Sequence, residues 1–305
     1  GSPYQLFFET KANLTRDQVR LLAEAGVRWT QPGIESLSTE LLRLLGKGCE
    51  AWQNIQLLKW SRQFGIRLSW NLLSEVPGDR DEWYGEMAEF LPLLEHLQPP
   101  SGVAPIQYHR FSSYHRDPAR FGLRLRPAPG YSAVYPLPEE ELADLVYLFE
   151  DGWRDTVRKS PVLKMLLDGP GLPRLRQRFL AWAGRWVEGP APVLVATYTE
   201  SAIHVSDTRS VAPKAERTVT GLDRLVLLEA DRAPLEKGLV ARLVADGHEA
   251  KFVAESVERL LSQRLALRVD GRLVGLVLQD PVAPLPALEE GPFGRELPRE
   301  RPAET

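Results

Sequence analysis

The repeated change of hydrophobic rhythm along the first hundred residues constrains this chain more than any other feature. Tyr4 to Thr10 is an apolar, aromatic run that suits a buried strand. Thr15 and Gln18 then form a capping box, and Leu14, Val19, Leu22 and Ala23 mark one face of a helix that Gly26 ends. Val27 to Ile34 is a second strand. Ser38 caps a short helix through Leu45, stopped by Gly46 and Gly48. Ala51 to Phe64 is a further helix with Ile55, Leu58 and Trp52 inward and Gly65 just beyond it. Ile66 to Leu73 is a third strand, followed by the turn Val76-Pro77-Gly78-Asp79. Glu82 to His96 is helical, with Pro92 kinking it or ending it early. After Pro99-Pro100-Ser101-Gly102, Ala104 to His109 is a fourth strand. Strand and helix alternating through short joints predict right-handed βαβ units and a parallel sheet. Four strands are too few to close a barrel. The expected fold is therefore α/β, the later half of an open barrel whose start lies before Gly1.

Beyond this stretch the pattern changes. Ser113 to Pro138 is rich in Pro, Arg and Tyr without a period and reads as a long loop, and Glu139 to Phe149 reads as a helix. Pro161 to Val187 is a basic helical connector broken near Asp168-Gly169-Pro170-Gly171, and Gly189-Pro190-Ala191-Pro192 marks a boundary. Val193 to Thr199 and Ala202 to Asp207 pair around Glu200-Ser201. Three helical patterns follow, Thr220 to Ala230, Pro234 to Asp246 and Glu249 to Arg264. Two apolar runs around Asp270-Gly271 then read as a hairpin. Three helices and a hairpin are the pattern of a winged helix. Pro281 to Thr305 is dense in Pro and Glu and is expected to be disordered. The expected organisation is a half-barrel over 1–150, a connector over 151–189, an α+β winged-helix-like domain over 190–280 and a tail over 281–305.

Composition removes several functions. A length of 305 residues allows two or three domains, and a net charge of −3 gives no bulk reason to expect nucleic acid. No apolar run is long enough to span a bilayer and no signal-peptide pattern opens the chain, so no membrane partner and a cytoplasmic location are expected. One cysteine, Cys49, excludes an intramolecular disulfide. The chain has no initiator Met. Gly1-Ser2 is either a tag remnant or part of a longer protein, and the absence of any lead-in to the strand at Tyr4 favours the second.

The candidate chemistry lies where strands end in polar residues, because in a parallel barrel the C-terminal strand ends carry the site. Glu35 beside Ser36 can hydrogen-bond a ribose or an amino group, and Gly33 lets a ligand approach the backbone. The competing reading makes Ser36 or Ser38 a cap and Glu35 a favourable charge at a helix start. Cys49 reads as a small packer. The five histidines form no ligand spacing, and no metal site is expected. No Walker loop, GxGxxG, HExxH or GxSxG occurs. Tyr108, His109, Arg110, Tyr114 and Arg116 form an aromatic–basic cluster that could touch a peptide or be ordinary loop surface. In Glu249 to Arg264, Lys251, Arg259 and Arg264 are offset by Glu249, Glu255 and Glu258, which argues against DNA. Packing on the barrel ranks first for this half and peptide binding at a sheet edge second.

An ordered set of segments resembles the second half of cobalamin-dependent radical SAM peptide maturases, enzymes that modify ribosomally made peptides. The set is Glu9-Thr10-Lys11-Ala12-Asn13-Leu14, Gln31-Pro32-Gly33-Ile34-Glu35-Ser36-Leu37-Ser38, Asn54-Ile55-Gln56-Leu57-Leu58-Lys59-Trp60 and Ser69-Trp70-Asn71-Leu72-Leu73, continued by Leu97-Gln98-Pro99-Pro100 and Arg110-Phe111-Ser112. The resemblance covers Tyr4 to Phe149 well and the last domain weakly. It implies a partial (β/α)6 barrel with S-adenosylmethionine across its strand ends, faced by Glu9, Lys11, Glu35, Ser36 and Asn71. Lys11 would then lie near a carboxylate, and Glu35 or Ser36 near the ribose or amino group. It also implies a [4Fe-4S] cluster and cobalamin in the intact enzyme, a precursor-peptide substrate, and C-methylation through a 5′-deoxyadenosyl radical.

Two departures stand out. Ser74-Glu75-Val76-Pro77-Gly78-Asp79 replaces a Gly-Phe-Pro-Gly-Glu turn, and Gly102-Val103-Ala104 replaces Gly-Cys-Gly. The cluster motif CxxxCxxC is missing, and the one cysteine cannot replace it. The chain is then part of a longer enzyme, one half of a pair with a cluster-bearing partner, or a relic. A non-catalytic peptide-binding module is the alternative. An ordinary barrel enzyme using Glu9, Glu35 and Glu75 is a third reading, which the strand count disfavours.

Overall fold

In the computed structural model, residues 6–160 and 169–287 are described. The architecture is mixed α/β with several small sheets and no closed barrel among the described residues. No described helix is long and apolar enough to cross a membrane.

Strand β1 (Leu6–Thr10) leads through helix α1 (Arg16–Glu24) to β2 (Val27–Pro32), then through α2 (Thr39–Leu44) and α3 (Ala51–Phe64) to β3 (Arg67–Leu68). β1, β2 and β3 are parallel neighbours, with Glu9 opposite Gln31 and Thr30 opposite Leu68. The capping box forms as expected: Thr15 accepts from Gln18 N, and Gln18 Oε1 accepts from Thr15 N at 2.8 Å. Gly65 ends α3 in the left-handed region.

The third expected strand is split. β3 stops at Leu68, and β4 (Leu72–Ser74) resumes parallel to β5 (Val103–Pro105). Trp70 lies in the gap on the same inward face as Leu68 and Leu72. It is 2% exposed, packs edge-on against Trp182 at 6.2 Å and donates to Gln98 O at 3.3 Å. Backbone bonds from Ser69 N to Thr30 O (2.9 Å) and Leu73 N to Glu35 O (2.8 Å) keep both pieces beside β2. The fourth strand, expected over Ala104 to His109, is divided as well: β5 ends at Pro105, and Tyr108–His109 pairs antiparallel in another sheet. β1 differs from expectation: it is an edge with Leu6 and Phe8 largely exposed, not a buried strand, because β2 covers only one of its sides. Tyr4 lies outside the described residues.

Helix α4 (Asp81–Phe90) passes into a 3₁₀ turn at Leu91–Leu94, as Pro92 requires. The long loop and the helix through Phe149 are corrected. β6 (Tyr108–His109), α5 (Ser113–Arg116), β7 (Leu125–Pro127), α6 (Gly130–Val134), α7 (Glu139–Leu145) and β8 (Leu148–Asp151) form a unit of their own. β8 is the middle strand of an antiparallel sheet in the order β6-β8-β7. Leu142, Val146 and Phe149 are spaced for a helix, yet the chain turns extended at Val146 so that Phe149 joins Tyr108 and Leu123 in a separate small core.

α8 (Gly152–Lys159) follows. Of the expected connector, residues 161–168 lie outside the described residues. α9 (Gly171–Val187) packs along α4 and brings Leu175 and Trp182 into the main core. Asp81 caps α9 by accepting from Gly171 N (2.7 Å) and Leu172 N (2.9 Å). A Cβ at Gly171 would sit 2.2 Å from Asp81 O, so only glycine permits this approach.

The C-terminal half carries β9 (Leu194–Tyr198), β10 (Ala202–Asp207), β11 (Glu216–Thr220), α10 (Gly221–Ala230), α11 (Glu236–Ala245), α12 (Ala250–Ser262), β12 (Ala266–Val269), β13 (Arg272–Gly275) and β14 (Leu278–Gln279). The three helices and the Asp270-Gly271 hairpin occur in the expected order, and both turn residues have positive φ. β11 was not expected, and the sheet order is β11-β10-β9-β14. The halves share one core and are pinned by polar contacts. Arg209 Nη1 donates to Leu93 O (2.6 Å), Ser210 Oγ to Glu95 (2.5 Å) and Thr39 Oγ1 to Asp270 (2.7 Å).

The expected disorder from residue 281 is corrected for Pro281–Ala287. Ala283 N donates to Gln63 O, while Arg62 and Arg67 donate to Ala283 O and Pro286 O, so this strap is held against α3 and β3. The rest of the expected tail, 288–305, lies outside the described residues.

Candidate functional site

Beyond β2 the chain folds into a tight turn. Ile34 N donates to Pro32 O (2.8 Å) and Ser36 N to Ile34 O (2.6 Å), and Glu35 between them has φ +57°. A non-glycine residue there costs about 1–3 kcal/mol and needs support from its surroundings. Asn54, fully buried on α3, supplies it. Its side-chain amide donates to Ile34 O at 3.0 Å and Ser36 O at 2.8 Å. Leu73 N holds the Glu35 carbonyl from the other side. The turn therefore presents Glu35 at the strand end against a rigid backing.

Glu35 Oε1 meets Lys47 Nζ at 3.0 Å, with both side chains partly open to solvent. Lys47 comes from the turn after α2, and a Cβ on Gly33 would lie 3.2 Å from its ammonium. The bare backbone of Gly33 thus leaves room for this pair. Ser36 is turned away. It is 0% exposed, its hydroxyl lies 3.5 Å from Met87 Sδ, and it accepts from Ser38 N at 3.0 Å. Ser38 caps α2 by accepting from Leu41 N. Glu9, Lys11 and Asn71 are exposed, and no side-chain hydrogen bond ties them to another described residue. Asn71 Oδ1 is 3.8 Å from the position a Gly102 Cβ would take. Thr10 Oγ1, at the end of β1, is buried without a partner among the described residues.

Glu75 repeats the geometry of Glu35 one strand further on. It follows β4, has φ +57°, and lies 3.8 Å from Arg176 of α9. It lines a cavity of about 150 Å³ with Tyr108, Phe149 and Asp151. The sequence singled out Glu35 and Glu75 by position alone. It marked Asn54 only within a matched segment, without a role, and offered no sign of Lys47 or Arg176, whose approach depends on how the α2–α3 turn and α9 fold back.

The other candidates are structural. Burial pushes the Cys49 thiol up, with the nearby Lys47 charge opposing, and its sulfur lies 3.8 Å from Asn54 Oδ1. His96 is a buried neutral side chain with Nε2 2.8 Å from Leu276 O. Burial, then the Arg209 charge, holds its pKa well below the usual histidine range. In the aromatic–basic cluster, Arg110 donates to Val146 O and Ala143 O, His109 stacks on Tyr147 and His115 on Phe149. Arg110, His109 and His115 thus brace the small sheet.

At the strand ends the exposed Glu9, Lys11 and Asn71 are donors and acceptors of the kind a nucleoside-type ligand needs, whereas Thr10 Oγ1 is buried and the open face of Gly33 is filled by the Lys47 ammonium. The residues present do not fit an iron–sulfur cluster. The chain has one cysteine, it is buried, and no group of three His, Cys, Asp or Glu side chains among the described residues could hold a metal.

No protein-family model and no curated protein matches the chain. Among solved structures it is similar to Elp3 of the archaeon Methanocaldococcus infernus lacking its N-terminus, at 18% identity and a TM-score of 0.31, over 38% of this chain and 28% of that one. It is also similar to the cobalamin-dependent S-adenosylmethionine radical enzyme OxsB. With aqua-cobalamin and S-adenosylmethionine bound, that structure gives 21% identity and a TM-score of 0.25 over 38% of this chain and 18% of that one. With aqua-cobalamin bound it gives 15% identity and a TM-score of 0.25, over 85% of this chain and 33% of that one. The chain thus spans a third or less of these neighbours, which resemble it weakly and in part.

Proposed function

We propose that this chain supplies the S-adenosylmethionine-facing strand ends of a cobalamin-dependent radical SAM enzyme that C-methylates a ribosomally made precursor peptide. The observation that carries the reading is the Glu35 turn: a carboxylate held in a left-handed backbone by Asn54 at the C-terminal end of a parallel strand. Rigid placement of this kind is what ligand positioning requires. On this reading Glu35 accepts from the ribose hydroxyls or the amino group and Lys11 neutralises the methionine carboxylate. Glu9 and Asn71 line the same edge, and Ser36 orients the turn from behind. The parallel strands form the later half of a (β/α)6 barrel. The three helices and hairpin act as a winged helix that packs on the barrel and presents the peptide. DNA is disfavoured, because Arg259 of α12 is tied to Asp223 at 2.8 Å and Arg264 to Val211 O.

The cluster and the cobalamin must be held outside these 305 residues, by a preceding portion or by a partner chain. When bound, the cluster supplies the reducing electron and the corrin the methyl group. What this chain's residues do is bind, orient and exclude water.

The test is calorimetric titration of the chain with S-adenosylmethionine and S-adenosylhomocysteine. Saturable binding that falls at least tenfold in Glu35→Gln and in Asn71→Ala is expected. Absence of binding, or binding indifferent to both substitutions, overturns the assignment. The single buried cysteine favours a second reading, a non-catalytic peptide-binding module. Retention of an acidic or amphipathic precursor peptide together with failure to bind either nucleoside would select it.

A further inference from the structure

A second polar cleft shares no residue with the strand-end set. It opens between α1 and α3 of the N-terminal half and β9 and α10 of the C-terminal half, with a volume of about 330 Å³. Pockets of this size at the junction of two units are where small ligands bind. Its floor is Lys59, 4% exposed, whose ammonium donates to Asp231 Oδ1 and to Gly275 O, both at 2.6 Å. Burial pulls the Asp231 carboxyl up, but the charge and hydrogen bond of Lys59, joined by Arg16 and Arg232, outweigh it and hold the group below the usual carboxylate range. Asp231 is therefore ionised and already committed to Lys59.

The walls carry cations without such a partner. Arg16, exposed in the first turn of α1, has its guanidinium 5.4 Å from the centre of the Phe64 ring. Arg224 donates to Thr199 O at 3.1 Å, and its Nε is buried without a partner. Neither arginine meets a carboxylate among the described residues. Tyr198 adds a neutral donor: burial, then Asp231, pushes its phenol up to about 12, so it keeps its proton at neutral pH. Arg16, Lys59 and Arg224 against Asp231 leave the cleft with surplus positive charge.

We propose that this cleft binds a small metabolite bearing an oxyanion, carboxylate or phosphate, with Arg16 and Arg224 as its guanidinium clamp and Tyr198 as an added donor. Guanidinium groups match the two oxygens of either anion. Such a ligand contacts both halves at once, so it locks their docking and stabilises the folded chain by mass action.

Thermal unfolding of the full chain at constant ionic strength tests this, with pyrophosphate, inorganic phosphate or citrate replacing sodium chloride. A saturable rise of about 3–5 °C is expected with at least one of them. A response to phosphates alone identifies a phosphate ligand, and a response to citrate alone a carboxylate. Arg16→Ala should weaken the response about tenfold. Arg224→Gln should weaken it as much. No rise beyond the chloride control, or a rise whose midpoint in both variants equals that of the unaltered chain, overturns the proposal.

Discussion

Asp207, in the C-terminal half, is fully buried between Arg209 and Arg217, at 2.8 and 2.5 Å. At the strand ends of the N-terminal half, Glu9, Lys11 and Asn71 stand in solvent, and Glu35 meets one half-open lysine. The first arrangement spends its charges on structure. Asp207 receives three bonds from Arg209, one of them from its backbone N, and one from Arg217, and the two arginines reach on to the carbonyls of Leu93, Arg264 and Gln263. The second leaves hydrogen-bonding capacity open while fixing the backbone behind it through Asn54. A polar group with every bond made inside the protein stabilises the fold, whereas a rigidly backed group with bonds to spare can bind a ligand.

The sharpest way to break this contrast is Asp207→Asn. It leaves Arg209 and Arg217 buried without their counter-charge, so a loss of about 3–5 kcal/mol is expected by urea denaturation. A loss below about 1 kcal/mol would show that the network is not structural. Asn54→Ala comes next. It strips the donor from two buried carbonyls, and a loss of about 2 kcal/mol is expected together with loss of S-adenosylhomocysteine binding. Loss of stability with binding intact would separate the turn from the proposed site.

His96 gives a graded test of burial. Its folded-state pKa lies below the ordinary 6.5, because burial disfavours the charged form. The unfolded chain therefore takes up a proton that the folded chain refuses. This contribution is fully present above pH 6.5 and is lost as the pH falls towards the folded value, at up to about 1.4 kcal/mol per pH unit. His96→Gln should flatten that acid slope in denaturation curves recorded from pH 7.5 to 5. An unchanged slope would assign it to other groups. The smallest change in stability is expected for Glu35→Gly. Relief of the left-handed backbone offsets the added chain freedom and the lost half-exposed ion pair, so stability should move by less than about 1 kcal/mol while nucleoside binding is lost. A large stability loss here would make Glu35 a structural residue like Asp207.

Much of the fold was legible. The capping box at Thr15 and Gln18, the glycine stop at Gly65, the Pro92 break and the Asp270-Gly271 turn are local signals, and each appears where expected. The misreadings share one cause. Residues 139–149 have a helical pattern, but strand pairing with β6 and β7 captures its last turn as β8. Ile66 to Leu73 has strand character throughout, but only Arg67–Leu68 pairs with β2 and only Leu72–Ser74 with β5, more than thirty residues away. The Pro-rich strap after Asp280 has no period at all, yet its carbonyls meet Arg62 and Arg67. Partners distant in sequence leave no mark on local rhythm.

The candidate site divides along the same line. The positions of Glu9, Lys11 and Glu35 around the ends of β1 and β2 follow from the order of strands and turns, because each βα junction points the same way in a parallel sheet, whereas Asn71 falls in the gap between β3 and β4. The sequence by itself also ruled out an iron–sulfur cluster ligated by this chain, since three thiolates cannot come from one cysteine. Tertiary structure alone decided that Ser36 faces the core, that Asn54 and Lys47 complete the Glu35 turn, and that Arg16, Lys59 and Arg224 share a cleft. Those outcomes depend on which helix faces pack together and how closely their backbones approach. Such distances arise only once the two halves share a core.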